Sequence, residues 1–120
     1  FPGLSPAVID ALSEIKSLRG IVLETFGSGN APSTKKFLDS IERLIKNGIV
    51  ILNISQCSGG MVNQNKYETG IGLRDIGVIS GGDMTTEAAI TKMMFLLSRY
   101  SSRSDVKRQL KMNLAGEISE

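Results

Sequence analysis

The run Ile49-Val50-Ile51-Leu52-Asn53-Ile54 decides the fold of this chain. Five of its six residues are apolar and four of those are β-branched, a composition typical of a strand that is buried on both faces. Such strands occur where helices cover a parallel sheet from both sides. The sequence therefore predicts a central strand over residues 49–54 of an α/β domain.

Helical and extended patterns alternate upstream of this strand. A capping serine before a proline, Ser5-Pro6, begins a helix predicted over residues 6–17, and the apolar run 21–26 predicts a strand. Ser33 or Thr34 is placed to cap the next helix, which ends at Asn47-Gly48. The apolar stripe of that helix consists of Phe37, Leu38, Ile41, Leu44 and Ile45.

The alternation continues downstream. The pattern predicts a helix, a short strand and two further helices, over residues 66–76, 77–80, 85–100 and 104–118. In the first of these helices, Ile71, Leu73 and Ile76 are expected to face inward. Asp83 or Thr85 is expected to cap the second, in which core packing accounts for Met93, Met94 and Phe95. Val106, Leu110, Leu114 and Ile118 form one side of the last helix.

This order of elements predicts one three-layer α/β/α domain with a small parallel sheet of about four strands. The length of 120 residues is typical of a single domain over 1–120. The first residue is Phe1 rather than Met, and residues 1–4 read like a strand end entering a turn. We therefore expect an excised piece of a longer protein.

Composition excludes several kinds of site and partner. A net charge of +2 does not favour nucleic acid as a partner. The chain has no His and only one Cys, which excludes imidazole catalysis, an internal disulfide and Cys-clustered metal sites. No apolar run approaches the ~18 residues that span a bilayer. We expect a cytoplasmic protein without membrane contact, metal or cofactor.

Three glycine-rich loops are the candidate ligand site. In open parallel sheets ligands bind beyond the carboxyl ends of the strands, here residues 25–33, 55–65 and 80–84. The alternative is that these glycines only make tight turns. Cys57 has no His to activate it, so a structural or ligand-contacting thiol is favoured. Glu24 either faces a polar site at the strand end or pairs with an Arg or Lys.

Four stretches of these loops resemble the C-terminal domain of L-asparaginases, in particular the type I, cytosolic branch. They are GIVLETFGSGNAP, NISQCSGGMVN, YETG and GGDMTTEA, at residues 20–32, 53–63, 67–70 and 81–88. The resemblance extends from about residue 2 to about residue 100. It implies that the chain is the small domain of an enzyme that hydrolyses L-asparagine to L-aspartate and ammonia.

The resemblance also implies what this chain lacks. The family's threonine nucleophiles lie on a larger N-terminal catalytic domain, which is absent here, so the chain alone is expected to be catalytically silent. Active sites in the family form between one subunit's N-terminal domain and its neighbour's C-terminal domain. The implied partners are therefore L-asparagine or L-aspartate, the chain's own N-terminal domain, and further copies in a homodimer or homotetramer.

The resemblance assigns residues to two sites. Asn30, with Gly29 beside it, matches the asparagine that reaches the neighbouring active site. Tyr67 or Asn63 is expected to stand where the secreted branch has a glutamate. Cys57 matches a cysteine of the family's activating effector site, whereas Glu24 occupies the position of its arginine. Because this reversal repels a ligand carboxylate, we hypothesise that the protein lacks this activation or uses a different effector.

Two other functions stay open. One is a domain of the related amidotransferase subunit that releases ammonia for transfer-RNA-dependent amidation. The other is a stand-alone sensor that binds an amino acid at the strand-end loops.

Overall fold

The computed structural model describes residues 4–27, 34–57, 60–63 and 68–119. Its eight elements are α1 (Pro6–Leu12), β1 (Gly20–Thr25), α2 (Lys35–Lys46), β2 (Val50–Ser55), α3 (Glu68–Asp75), β3 (Ile79–Ser80), α4 (Thr86–Arg99) and α5 (Arg103–Leu110). Within these residues, none of the helices has the length and apolar character needed to cross a bilayer.

The sheet is parallel, with the strand order β1-β2-β3. All six residues of β2 are buried, because this strand has a neighbour on each edge and helices over each face. The predicted central strand is therefore confirmed. β1 aligns with β2 from Gly20 opposite Val50 to Thr25 opposite Ser55, so the two strands end level with each other.

Two apolar clusters lie on opposite faces of the sheet. On one face Val50, Leu52 and Ile54 pack with residues of α4 and α5. On the other, Ile49 and Ile51 pack with residues of α1, α2 and α3. This alternation is the period-2 geometry of a strand. It confirms the three-layer α/β/α architecture.

Hydroxyl groups cap the helices as the sequence indicates. Ser5 Oγ accepts a hydrogen bond from the Ala7 N–H, and Thr34 Oγ1 accepts one from the Phe37 N–H. Thr85, not Asp83, caps α4. Gly48 has a φ of +98° directly after α2, the left-handed conformation that glycine adopts most readily.

Some bounds and strand numbers differ from expectation. The described residues form three strands rather than about four, because only three extended runs alternate with the helices. The first helix ends at Leu12 rather than at residue 17, and Ser13 Oγ donates to the Asp10 carbonyl there. The last helix ends at Leu110 rather than at residue 118, since the following residues turn back across the domain.

The predicted inward faces of two helices are correct only in part, since Leu73 and Met93 are buried as predicted whereas other residues of the two predictions are exposed. Met94 and Phe95 are 67% and 55% exposed, and Ile71 is exposed too. On α4 the buried stripe is Ala89, Met93 and Leu96. Because each residue turns the helix by about 100°, the two residues after Met93 point away from the sheet.

Candidate functional site

The carboxyl ends of the three strands lie along one edge of the sheet. Thr25, Ser55 and Ser80 are the last residues of β1, β2 and β3, and parallel strands bring their ends together. The loops that follow are those in which the sequence predicts ligand binding. The structure thus places the three predicted loop starts at a common edge.

Hydrogen bonds between neighbouring loops hold this edge in shape. The Gln56 N–H donates to the Thr25 carbonyl at 2.8 Å, which extends the pairing of β1 with β2. Ser55 Oγ donates to the Gly27 carbonyl at 2.7 Å. The Gly81 N–H donates to the Asn53 carbonyl at 2.7 Å, which extends the pairing of β2 with β3. Both outer loops are therefore tied to β2 where they leave the sheet.

A cavity of about 260 Å³ opens between the ends of β2 and β3. Ser55, Gln56 and Cys57 form one side of it, and Asp83, Thr85 and Glu87 belong to the other. Gly81 allows the two sides to approach, since a Cβ there would lie 2.6 Å from Ile54 Cγ2 and 3.0 Å from the Asn53 carbonyl oxygen. Hydroxyl, amide and carboxylate groups suit a small polar ligand.

Glu24 lies at the same edge, in an adjoining cavity of about 290 Å³. Its side chain is exposed and accepts a hydrogen bond of 2.5 Å from Thr86 Oγ1. Gln56 Nε2 donates to the Glu24 carbonyl at 3.1 Å. Among the described residues, no Lys or Arg forms an ion pair with Glu24. The contact with Thr86 places the Glu24 carboxylate at the end of the strand.

Cys57 is exposed at the rim of the 260 Å³ cavity. Its backbone N–H donates to Ser55 Oγ at 3.1 Å, so the turn that carries the thiol is fixed from the end of β2. Gln56 and Thr86 line both cavities. The thiol and the Glu24 carboxylate therefore belong to neighbouring parts of one surface.

Asn53 is a buried polar residue that the sequence analysis treated only as part of a strand. Thr25 Oγ1 lies 2.7 Å from its Oδ1, while its Nδ2 has no hydrogen-bond partner among the residues that the structure describes. A buried unpaired amide group is uncommon in folded proteins. The signal in the sequence was a carboxamide within an otherwise apolar run, next to the predicted ligand edge.

Asp83 lines the same cavity from the loop after β3. The Ser119 N–H donates to Asp83 Oδ1 at 2.9 Å. Hydrogen bonds from the side chain and backbone of Ser119 lower the pKa of the Asp83 carboxyl below its ordinary value. The sequence could not indicate this contact, because 36 residues separate the partners.

Of the remaining predicted site residues, the structure describes only Asn63. Gly29, Asn30 and Tyr67 lie outside the described residues. Asn63 is exposed and lines a different cavity, of about 610 Å³, beside β3 and Arg74. Among the described residues, no group of three or more Cys, Asp or Glu side chains could hold a metal ion.

The sequence of the chain matches a known protein family. The model of the glutaminase/asparaginase C-terminal domain matches residues 1–110. The chain belongs to this family. The resemblance in the strand-end loops is thereby confirmed at the level of the domain.

The curated relatives of this chain are much longer than the chain itself. L-asparaginase 1 of Escherichia coli is 37% identical over 119 residues, 99% of this chain and 35% of that protein. A glutamyl-tRNA(Gln) amidotransferase subunit of Methanopyrus kandleri is 44% identical over 98% of this chain and 25% of its own length. This chain therefore spans about a third or less of these relatives.

A solved structure supports the fold. L-asparaginase I from Vibrio cholerae superposes with a TM-score of 0.91 at 39% identity, over all of this chain and 36% of that one. This similarity confirms the α/β class with its small parallel sheet.

Proposed function

We propose that this chain is the C-terminal domain of an L-asparaginase that hydrolyses L-asparagine to L-aspartate and ammonia. The observation that carries the proposal is the match of nearly the whole chain to the C-terminal domain family and to about a third of E. coli L-asparaginase 1. In this proposal the nucleophile lies on a separate N-terminal domain. The isolated chain supplies binding groups and no catalytic residue.

The carboxyl-terminal edge of the sheet is suited to supplying binding groups rather than a nucleophile. Its loops are anchored through backbone carbonyls of Thr25, Gly27 and Asn53, which leaves side chains free to contact a ligand. We propose that Asn30 and Gly29, which lie between β1 and α2 in the sequence, contact substrate in the active site of a neighbouring subunit. A side-chain amide both donates and accepts, which suits the amino and carboxylate groups of an amino acid. Tyr67 and Asn63 are proposed as further substrate contacts.

The assembly follows from this arrangement. The active enzyme is proposed to be a cytoplasmic homodimer or homotetramer in which each C-terminal domain completes another subunit's site. The ligand is L-asparagine or L-aspartate, and no cofactor takes part.

A chimeric enzyme tests the proposal. This chain replaces the matching C-terminal third of E. coli L-asparaginase 1, and asparagine hydrolysis is followed by ammonia release. We expect activity in the chimera and none in the isolated chain. An assembled chimera that releases no ammonia contradicts the proposal.

Asn30→Ala tests the substrate contact within that chimera. We expect a higher KM or lower kcat at unchanged thermal stability, because a loop amide contributes to ligand binding more than to the core. Asn47→Ala is the matched control. Asn47 caps the end of α2, away from the carboxyl ends of the strands. Equal kinetics for the two variants count against a role for Asn30.

We also propose that Cys57 and Glu24 mark a modified effector site. The carboxylate of Glu24 is directed to Thr86 at the strand-end edge, where it repels the carboxylate of an amino acid. Activation by asparagine is then absent, or a different effector is used. Sigmoidal asparagine kinetics that flatten in Cys57→Ser contradict this proposal.

The amidotransferase function is the second candidate. It is favoured by the 44% identity to the amidotransferase subunit from M. kandleri. Under this alternative, the protein with its upstream domain binds tRNA or a partner amidotransferase subunit. Gel filtration of this chain joined to its own upstream sequence, with and without tRNA, distinguishes it from a free-standing asparaginase.

An amino-acid sensor is the remaining alternative. It predicts binding of asparagine or aspartate by the isolated chain, with no hydrolysis in the chimera. Calorimetry on the 120-residue chain measures that binding directly.

A further inference from the structure

The C-terminal segment, residues 111–119, folds back over α4 and reaches the loop between β3 and α4. It lies beyond residue 110, where the match to the family model ends. Lys92 of α4 holds this segment at one side, and Asp83 holds its far end. We call the segment the C-terminal clip.

Lys92 anchors the clip from within the domain. Its side chain is only 5% exposed. The ammonium group donates to the carbonyls of Leu110 and Met112, at 3.1 and 2.5 Å, and to Glu117 Oε1 at 2.5 Å. These three bonds use all the N–H donors of the group. Lys92 therefore joins the end of α5, the start of the clip and its middle.

Glu117 completes the anchor. Besides Lys92, its carboxylate accepts hydrogen bonds from the backbone N–H groups of Leu114 and Ala115. Burial of the carboxylate raises its pKa, but the bond from Lys92 and those from backbone N–H groups outweigh burial and lower the pKa to about 2. The clip thus closes around a carboxylate that stays charged at neutral pH.

The clip is also bonded to itself. Asn113 Oδ1 accepts from the Gly116 N–H at 2.7 Å, and Asn113 Nδ2 donates to the Ile118 carbonyl at 2.8 Å. Gly116 has a φ of +87°, which turns the chain back toward the domain. Ile118 packs against the apolar cluster under α4 and α5. These bonds and the packing of Ile118 therefore fix the path of the last residues of the clip over the domain.

The fixed end meets the candidate site. The Ser119 N–H donates to Asp83 Oδ1 at 2.9 Å, and Asp83 lines the cavity together with Ser55 and Cys57. Asp83 is only partly buried and lies outside the two apolar clusters, so packing alone does not determine where its carboxylate lies. The carboxylate is held instead by the hydrogen bond from the Ser119 N–H at the end of the clip.

We propose that the C-terminal clip positions Asp83 at the strand-end cavity, with Lys92 and Glu117 as the positioning residues that lock it. The opposite end of the same loop is held by the bond from Thr86 Oγ1 to Glu24. The clip and Glu24 thus fix this wall of the cavity from two sides. The proposal concerns the wall itself and holds whichever ligand the cavity binds.

The titration of Asp83 tests the proposal in the 120-residue chain. Carboxyl carbon NMR of the wild type should show a pKa below the ordinary value of about 3.9. Ser119→Pro removes both the backbone N–H and the hydroxyl, so we expect the Asp83 pKa to return toward that value while the other amide resonances persist. Ser119→Ala keeps the N–H but removes the hydroxyl, which is the larger cause of the lowered pKa, so we expect a partial rise that is smaller than in Ser119→Pro. An unchanged Asp83 titration in Ser119→Pro overturns the proposal.

The lock is tested separately. Glu117→Gln should free the clip and raise the Asp83 pKa although residue 117 does not touch Asp83, whereas Glu42→Gln, in an exposed pair with Lys46, should not. A folded Glu117→Gln variant with the wild-type Asp83 titration overturns the role of the lock. If Glu117→Gln does not fold, Lys92→Arg serves as the second variant, because it keeps the charge but changes the geometry of the three bonds. The same rise in the Asp83 pKa is then expected, and its absence overturns the lock.

Discussion

Replacing Lys92 with methionine is expected to destabilise the chain far more than removing an exposed lysine. Methionine fills a similar volume but leaves the carbonyls of Leu110 and Met112 without their donor and the Glu117 carboxylate without its cation. Breaking a buried pair from one side costs about 3–5 kcal/mol. Glu117 keeps its bonds to backbone N–H groups and is 12% exposed, so the lower end, about 3 kcal/mol, is expected.

Urea unfolding followed by circular dichroism measures this loss. A loss of about 3 kcal/mol also lowers the Tm of a domain of this size by roughly 10 °C. The matched control is Lys46→Met, whose partner Glu42 and own side chain are 40% and 69% exposed, and it should cost less than about 0.5 kcal/mol. If Lys92→Met is as stable as the control, the lock does not stabilise the fold and the reasoning is refuted.

Three further perturbations test the Glu117 carboxylate, the close approach at Gly81 and the Cys57 thiol. The pKa of the Glu117 carboxyl is lowered from 4.5 to about 2, so its contribution to the free energy of unfolding is complete above pH 4.5 and is lost as the pH falls through about 2. We expect this contribution to be about 1–2 kcal/mol after solvent screening. The stability of Glu117→Gln, measured by urea unfolding, should therefore depend less on pH between these values. Gly81→Ala places a Cβ against the Ile54 side chain and a backbone carbonyl and should cost about 1–3 kcal/mol. Gly72→Ala, in α3, meets only the end of a flexible leucine and should be neutral or stabilising; equal costs for the two alanines in urea would show that Gly81 is not a point of close approach. In the chimera, we expect the rate of ammonia release to depend hyperbolically on asparagine concentration, and Cys57→Ser should not change the shape of that curve.

Local sequence signals were sufficient for the order and type of the elements. The run 49–54 has no polar position except Asn53, so only burial on both faces fits it, and β2 is fully buried. The stripe of α2 has a regular helical period, and Phe37, Ile41 and Leu44 are buried as it predicts. Capping by Ser5, Thr34 and Thr85 depends on one hydroxyl and the next three residues, which the sequence contains in full.

Contacts between distant segments could not be read in this way. Met93, Met94 and Phe95 are consecutive and apolar, and only the position of the sheet determines which of them is buried. The pattern over residues 104–118 is compatible with a continuous helix. The helix ends at Leu110, and the carbonyl of that residue accepts a hydrogen bond from Lys92, 18 residues earlier in the chain. The contact of Ser119 with Asp83 is likewise absent from any local pattern.

At the candidate site, backbone groups hold the edge in shape, whereas exposed side chains point to where we propose that a ligand binds. Thr25, Gly27 and Asn53 hold the edge through their carbonyls, and a carbonyl is present whatever the side chain. Glu24, by contrast, contributes an exposed carboxylate with one hydroxyl donor, Thr86. A change of charge at position 24 therefore alters the electrostatic potential of the edge without disturbing the sheet. This explains how a glutamate can occupy the position where the resemblance implies an arginine, while the fold still superposes on an L-asparaginase with a TM-score of 0.91. We therefore expect substitutions at such exposed positions to change what binds at this edge, because the backbone contacts that place them do not depend on the identity of the side chain.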